Sequence, residues 1–144
     1  MTTVNTYLTF NGNCEKAFNF YKSVFGGEFS FIGRFKDMPN DDPNCVVNEE
    51  DKNKIMHISL PIGNTELMGS DAGGEWASNI IVGTNFSVSI QTDSKEEADR
   101  LYHQLSKDGN PMMPMSFTFW NSYFGMLTDQ FGIQWMVSFD EVKK

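Results

Sequence analysis

The sequence has few basic residues, few cysteines and no long apolar run, and each shortage argues against a class of protein. Lys and Arg number 11 against 19 Asp and Glu, which gives a net charge of −8 at pH 7. Because this charge repels phosphate backbones, we predict no nucleic-acid partner. No apolar run approaches the ~18 residues that a membrane-spanning helix needs, so we predict no membrane partner. Two cysteines, Cys14 and Cys45, and no recognisable signal peptide predict a cytoplasmic protein without disulfides.

Motifs of several enzyme classes are also missing. The sequence contains no P-loop, no nucleophile elbow and no paired Cys-x-x-Cys. The acidic segment 37–53 lacks the spacing and central glycine of a calcium-binding loop. We therefore interpret it as a long polar loop, of a length that suits a lid over a cleft.

What the sequence does contain is a faint internal duplication. Two stretches each read strand, helix and then three strands. The first helix is predicted over about Cys14 to Phe25, with Asn13 as N-cap and Gly26-Gly27 as its end. The second begins at Ser94, which has capping-box spacing to Glu97. We predict an α+β fold of two tandem βαβββ modules in one domain over residues 1–144. Module one spans about 1–70, a linker about 71–83, and module two about 84–140.

Eight strands follow from alternation of apolar and polar side chains and from the turn residues between them. In the first module they are predicted over Val4 to Phe10, Phe29 to Phe35, Ile55 to Ile62 and Glu66 to Met68. In the second they are predicted over Phe86 to Gln91, Met113 to Phe119, Tyr123 to Thr128 and Ile133 to Phe139.

Several runs of residues resemble the vicinal oxygen chelate (VOC) superfamily, which includes glyoxalases, bleomycin-resistance proteins and extradiol dioxygenases. They are Tyr7 to Asn13, Phe20 to Gly27, His57 to Leu60, Leu67 to Asp71, Phe119-Trp120 and Phe124 to Trp135. They are most similar to the PhnB-like branch, often described as 3-demethylubiquinone-9 3-methyltransferase-like. The resemblance implies a glyoxalase/bleomycin resistance-like fold, in which the modules form a cupped eight-stranded mixed sheet, and a homodimer.

Active members of that superfamily hold a divalent metal with His, Gln or Glu. The resemblance places the counterparts of these ligands at Thr6, Asn85 or Ser87, and Met136. Hydroxyl, amide and thioether groups are poor ligands for such metals. Only the fourth-strand position keeps a ligand type, Glu66, with Met68 as the alternative register. We therefore predict no metal and no cofactor, with an atypical divalent metal site as the alternative.

His57 and Glu66 are the candidate catalytic residues. Alternation places His57 and Ser59 on the face opposite Ile58 and Leu60. If the apolar face packs on a helix, His57 faces the cleft, where an imidazole can act as acid or base near neutral pH. The alternatives are a structural histidine and a solvated glutamate. The predicted ligand-binding residues in the cleft are Thr6, Leu8, Phe10, His57, Ser59, Met68, Asn85, Ser87, Ser89, Trp120, Phe124, Gln134 and Met136.

Two functions remain open at this point. The first is a protein that binds a small molecule in the cleft between the modules without turnover. The second is a lyase- or isomerase-like enzyme, either metal-free through His57 and Glu66 or with an atypical metal site. The residue types at the ligand positions favour the first. Methyl transfer is disfavoured, because the sequence lacks the Gly-rich strand-to-helix turn of a methyl-donor site.

Overall fold

A computed structural model describes residues 2–37, 49–73 and 80–140 of the chain. It divides into two compact units, Met1–Ile81 and Val82–Lys144. The described part of each unit contains four strands and one α-helix in the order βαβββ, so the α+β class and the repeat are confirmed. The eight strands are divided between two four-stranded sheets.

The first unit is a sheet of order β1-β4-β3-β2 with one helix, α1. Strand β1 is parallel to β4, and the other neighbours are antiparallel. The elements are β1 Thr6–Phe10, α1 Cys14–Phe25, β2 Phe31–Arg34, β3 Ile55–Ile62 and β4 Thr65–Asp71. Short 3₁₀ turns occupy Phe35–Asp37 and Glu49–Asp51.

The second unit repeats this arrangement with the order β5-β8-β7-β6. Strand β5 is parallel to β8, while β6 and β8 are antiparallel to β7. The elements are β5 Val88–Gln91, α2 Lys95–Leu105, β6 Asn110–Phe117, β7 Ser122–Thr128 and β8 Gln134–Asp140.

Several predicted boundaries needed correction. Strand β4 continues to Asp71, into the predicted linker, because its residues from Leu67 to Asp71 pair with all five residues of β1. Strand β6 begins at Asn110 and ends at Phe117, earlier than predicted. Most of the acidic loop (38–48, with Cys45) and part of the linker (74–79) lie outside the described residues, so the lid interpretation stays a prediction.

Helix α1 covers one face of the first sheet because its apolar side chains recur at helical spacing. Ala17, Phe18 and Tyr21 are fully buried. The helix approaches the sheet closely at Gly69, where an added Cβ would lie 2.7 Å from the Phe18 ring and 2.8 Å from the Leu8 carbonyl oxygen. Only glycine allows this approach without displacing the helix.

Helix α2 covers one face of the second sheet in the same way. Its buried side chains Ala98, Leu101 and Leu105 form the core of this unit with Leu127, Trp135 and Val137 of the sheet. The hydroxyl of Tyr102 donates to the carbonyls of Met113 and Met126, at 2.9 and 3.1 Å. The hydroxyl of Tyr123 donates to Asp99 Oδ1 at 2.6 Å, which raises the pKa of Tyr123 to about 12.

The two helices begin differently. Ser94 caps α2 as predicted, since its Oγ accepts from the Glu97 N–H at 3.1 Å. Asn13 makes no side-chain cap for α1. The carboxylate of Asp71 replaces it, because Oδ1 accepts from the N–H groups of Gly12 and Cys14, both at 2.9 Å. Oδ2 accepts from the Ile55 N–H at 3.0 Å, so one buried carboxylate ties β4 to the starts of α1 and β3.

Asp129 ties the end of the second unit in a comparable way. Its Oδ1 accepts from the N–H groups of Phe131 and Ile133, at 2.8 and 3.0 Å. Its Oδ2 accepts from the indole N–H of Trp135 at 2.8 Å. The turn between β7 and β8 is therefore fixed to the core by one side chain that is 3% exposed.

We predict that Asp71→Ala lowers the free energy of unfolding by at least about 2 kcal/mol. The substitution leaves three backbone N–H groups without their acceptor, and the two that are buried, those of Cys14 and Ile55, each cost about 1–3 kcal/mol when unpaired. Urea denaturation measures the change. The control is Asp140→Ala, which removes an exposed carboxylate and is expected to shift stability by less than about 0.5 kcal/mol. Equal free energies of unfolding for the two variants would contradict a stabilising role for the Asp71 hydrogen bonds.

Candidate functional site

Each sheet has one face covered by its helix and a second face that we call the open face. In the first sheet, register places one row of side chains across all four strands of the open face: Tyr7 opposite Met68, Met68 opposite Ser59, and Ser59 opposite Phe31. His57 lies two residues before Ser59 and so points to the same side. The row therefore brings residues distant in sequence to one surface.

An aromatic cluster forms on this surface around His57. The imidazole centroid lies 5.8 Å from the Tyr7 ring and 5.7 Å from the Phe31 ring. These two rings are 47% and 49% exposed. Ser59 Oγ lies 3.3 Å from His57 Nε2, a long hydrogen bond that can fix the imidazole orientation. The Tyr7–His57–Phe31 cluster thus presents two half-exposed rings beside a group that can donate or accept a hydrogen bond.

Glu66 lies on the same face but away from this cluster. It pairs with Pro61, which is four residues beyond His57 on β3, a separation of about 13 Å along the strand. Its carboxylate accepts from Ser30 Oγ at 2.7 Å. The geometry does not bring His57 and Glu66 together as an acid–base pair, contrary to the expectation that both act at one point in a cleft.

The prediction for β1 chose the wrong face. Leu8 and Phe10 are 3% and 4% exposed, and the Phe10 ring packs edge-on against Phe18 of α1 at 6.2 Å. Thr6 shares their helix-covered side. The open face of β1 carries Tyr7 and Thr9 instead. Alternation separated the two faces of β1 correctly. The apolar side chains Leu8 and Phe10 could have indicated which face the helix covers.

The open face of the second sheet is built mainly from methionine and small polar side chains. Register places Ser89 opposite Met136, Met136 opposite Met126, and Met126 opposite Met113. Phe124 lies on the same face, opposite Ser138. The predicted residues Ser89, Phe124 and Met136 are thus on one surface, and Met126 was missed because its strand was read without a partner register.

Gln134 begins β8 opposite Thr128 and so lies on the same side as Met136, but it is 8% exposed. Its Nε2 donates to the Phe86 carbonyl at 2.7 Å, so it holds the segment before β5. Three other predicted residues lie outside the strands of the second unit. Asn85 and Ser87 precede β5 and belong to no strand. Trp120 is 58% exposed in the turn that joins β6 to β7 and belongs to neither strand.

The residue types at the counterpart positions, Thr6, Asn85 or Ser87, and Met136, are poor ligands for the divalent metal that the superfamily implies. Within 2–37, 49–73 and 80–140, no three His, Cys, Asp or Glu side chains come together in a way that could hold an ion. His57 lies beside the Ser59 hydroxyl, and Glu66 accepts a hydrogen bond from Ser30.

Cys14 is not a candidate nucleophile. Burial raises the pKa of its thiol well above the usual range, and the neighbouring Asp71 carboxylate raises it further. The thiolate is the reactive form, so this side chain serves the core. Separately, none of the described helices has the length and apolar character to cross a membrane.

Comparison with known proteins places this geometry in a family. A model of the family described as 3-demethylubiquinone-9 3-methyltransferase matches residues 2–138. Protein PA1353 from Pseudomonas aeruginosa, of known crystal structure, is 37% identical, with 97% of this chain and 98% of that chain covered and a TM-score of 0.79. A putative 3-demethylubiquinone-9 3-methyltransferase, PhnB protein, from Bacillus cereus is 26% identical, with 96% and 99% covered and a TM-score of 0.73. Protein YjdN from Escherichia coli (strain K12) is 28% identical over 140 residues, 94% of this chain and 93% of YjdN.

More distant structures share the fold. A glyoxalase-related enzyme from Fulvimarina pelagi is 16% identical, with 99% of this chain and 91% of that chain covered and a TM-score of 0.61. At this identity the likeness concerns the fold alone. The match over residues 2–138 shows that the chain belongs to the family described as 3-demethylubiquinone-9 3-methyltransferase.

Proposed function

We propose that this protein binds a small organic molecule on the open face of the first sheet. The observation that supports the proposal is the Tyr7–His57–Phe31 cluster, with Ser59 held beside the imidazole. Aromatic rings left half exposed at a fixed spacing offer area that a ligand can cover, at about 25 cal/mol per Å² of apolar surface removed from water. The imidazole and the hydroxyl supply the polar contacts that orient such a ligand.

The surroundings of the cluster indicate the ligand's chemistry. Two tilted rings favour a flat, partly apolar molecule that can pack edge-on or offset against them. Imidazole and hydroxyl groups both donate and accept hydrogen bonds, so a hydroxyl, amine or carbonyl on the ligand suits them. The chain's net charge of −8 disfavours a strongly anionic molecule.

Binding is favoured over the enzymatic alternative by the separation of the candidate catalytic residues. A metal-free lyase or isomerase that uses His57 and Glu66 needs both groups within hydrogen-bond reach of one small substrate. Their positions on β3 and β4 place them about 13 Å apart along the strand. A histidine alone supports ligand recognition better than it supports two proton transfers.

Methyl transfer, the activity in the family's description, is not proposed for this chain. A methyl-donor site of the usual kind uses backbone N–H groups in a Gly-rich turn between a strand and a helix. In the corresponding turn between β1 and α1, the N–H groups of Gly12 and Cys14 donate to Asp71 instead. That turn therefore offers a ligand little hydrogen bonding.

Two expectations about the protein's setting accompany this proposal. We propose a homodimer, because edge strands of small sheets are covered or paired in assemblies. We also propose a cytoplasmic location, on the grounds of cysteine usage.

We predict that a thermal-shift screen of flat aromatic alcohols and amines, with 2-naphthol as the reference probe, yields compounds that raise the melting temperature. For such a compound, His57→Ala and Phe31→Ala are each expected to weaken binding about tenfold, equivalent to about 1.4 kcal/mol, measured by calorimetry. The matched control is Phe86→Ala, which removes a ring of similar exposure (58%) outside the open face and should bind like the unchanged protein. Absence of any stabilising compound, or equal losses in all three variants, would refute the site.

A separate prediction concerns metal content. Protein purified without added metal is expected to contain well under one equivalent of zinc, nickel, iron or manganese, because the counterpart ligand positions hold Thr6, Met136 and uncharged polar side chains. Elemental analysis measures the content, and a chelator should leave the melting temperature unchanged. Stoichiometric metal that is lost in Glu66→Gln would restore the enzymatic alternative.

A further inference from the structure

Methionine is concentrated on the strands of the second sheet. Five of the chain's nine methionines are there: Met112, Met113, Met115, Met126 and Met136. Three of them are cross-strand neighbours on the open face, since Met113 pairs with Met126 and Met126 pairs with Met136. We call these three side chains the methionine row. Met113 is 45% exposed and the other two are partly exposed, so solvent and small ions can reach the row.

The three thioether sulfurs of the row can meet at one ion. Residues directly opposite each other in a sheet have Cβ atoms about 5 Å apart, so the outer two of the row are separated by about 10 Å. Methionine is unbranched and has three rotatable side-chain bonds, so each outer side chain can extend over the central strand. An ion above Met126 is therefore within reach of Met113 and Met136 as well.

A fourth sulfur lies beside the row. Thr128 is two residues from Met126 on β7, so its side chain is on the same face. Its Oγ1 donates to Met112 Sδ at 3.1 Å, which places this sulfur over the open face too. Met112 is 50% exposed and its side chain can rotate toward an ion on the row.

The side chains around the row indicate which ions it can hold. Those two positions from the row along β7 and β8 are uncharged: Phe124, Thr128, Gln134 and Ser138. The polar ones among them already make hydrogen bonds within the fold, since Gln134 Nε2 donates to the Phe86 carbonyl and Ser138 Oγ to the Ile90 carbonyl. Hard cations such as Mg²⁺ and Ca²⁺ prefer carboxylate and carbonyl oxygens, whereas thioethers select soft ions such as Cu(I).

Met115 shows by contrast how a packing methionine is placed in this sheet. It is on the same strand as Met113, but its sulfur lies on the helix-covered side. A Cβ added at Gly125 would be 2.5 Å from Met115 Sδ and 3.0 Å from the ring of Tyr102 in α2. Met115 therefore fills space between helix and sheet, while the methionine row lies on the face that no helix of this unit covers.

We propose that the methionine row is a binding site for a soft monovalent cation of the Cu(I) type, held by the thioethers of Met113, Met126 and Met136. A neutral set of sulfur ligands suits a single positive charge, and the chain's net charge of −8 favours the approach of a cation. The site is distinct from the ligand site proposed on the first sheet. Of its three ligands, only Met136 is at a counterpart position of the superfamily's divalent metal.

The test uses Ag(I), a soft monovalent ion that needs no reductant, in chloride-free buffer. All proteins carry Cys45→Ser, so that the thiol of Cys45 does not compete for the ion. The methionine methyl groups are labelled with carbon-13, and NMR follows their signals during the titration. One equivalent of Ag(I) is expected to shift the signals of the row and to leave that of Met115 in place. Cu(I), supplied with ascorbate under nitrogen, should shift the same signals.

The variants separate coordination from general effects on the fold. Met126→Leu keeps a similar side-chain volume but removes the central thioether, and it is expected to raise the Ag(I) dissociation constant by at least about tenfold. Met115→Leu is the matched control, because it makes the same exchange on the helix-covered side, and it should change the constant by less than about twofold. Circular dichroism checks that both variants are folded.

Four results would overturn the inference. The first is that Ag(I) at high micromolar concentration shifts none of the three signals. The second is an equal loss of affinity in Met126→Leu and Met115→Leu, which would mean binding without a defined site. The third is a loss in His57→Ala but not in Met126→Leu, which would place the ion on the imidazole of the first sheet. The fourth is that Cu(I) leaves the signals of the row unchanged.

Discussion

The first unit depends on one buried carboxylate. Asp71 is at the end of β4, which lies between β1 and β3 in the sheet. Its carboxylate oxygens accept hydrogen bonds from three backbone N–H groups at the starts of α1 and β3. These hydrogen bonds fix where α1 begins relative to the sheet, and the apolar side chains of α1 determine that it packs on the face with Leu8 and Phe10. The Tyr7–His57–Phe31 cluster lies on the opposite face.

The approach of helix to sheet completes this constraint. At Gly69 the Phe18 ring and the Leu8 carbonyl both lie closer than any side chain permits. With the helix seated this deeply, Leu8, Phe10 and Ile58 are buried, and the alternate residues of the same strands must face the other way. Because side chains alternate along each strand, the packing of α1 on one face determines which residues lie on the open face.

Local signals in the sequence predicted the elements well. The bounds of α1 (Cys14–Phe25) and β3 (Ile55–Ile62) agree with prediction, since glycine ends the helix and a Gly63-Asn64 turn ends the strand. The cap of α1 could not be predicted, because its acceptor is 57 residues away in the chain. The candidate site was predicted in part. His57 and Ser59 could be assigned to one face of β3 from alternation. Met68, Phe31 and Tyr7 joined them only through strand register, which a single sequence does not specify.

The two faces of a βαβββ unit are under different constraints. The face that the helix covers must keep its packed apolar volume and the Asp71 hydrogen bonds, whereas the open face can change without loss of the fold. The rings of Tyr7 and Phe31 lie about half exposed on that face, on either side of His57. The proposed ligand would remove this apolar area from water, while His57, beside the Ser59 hydroxyl, would supply the polar contact.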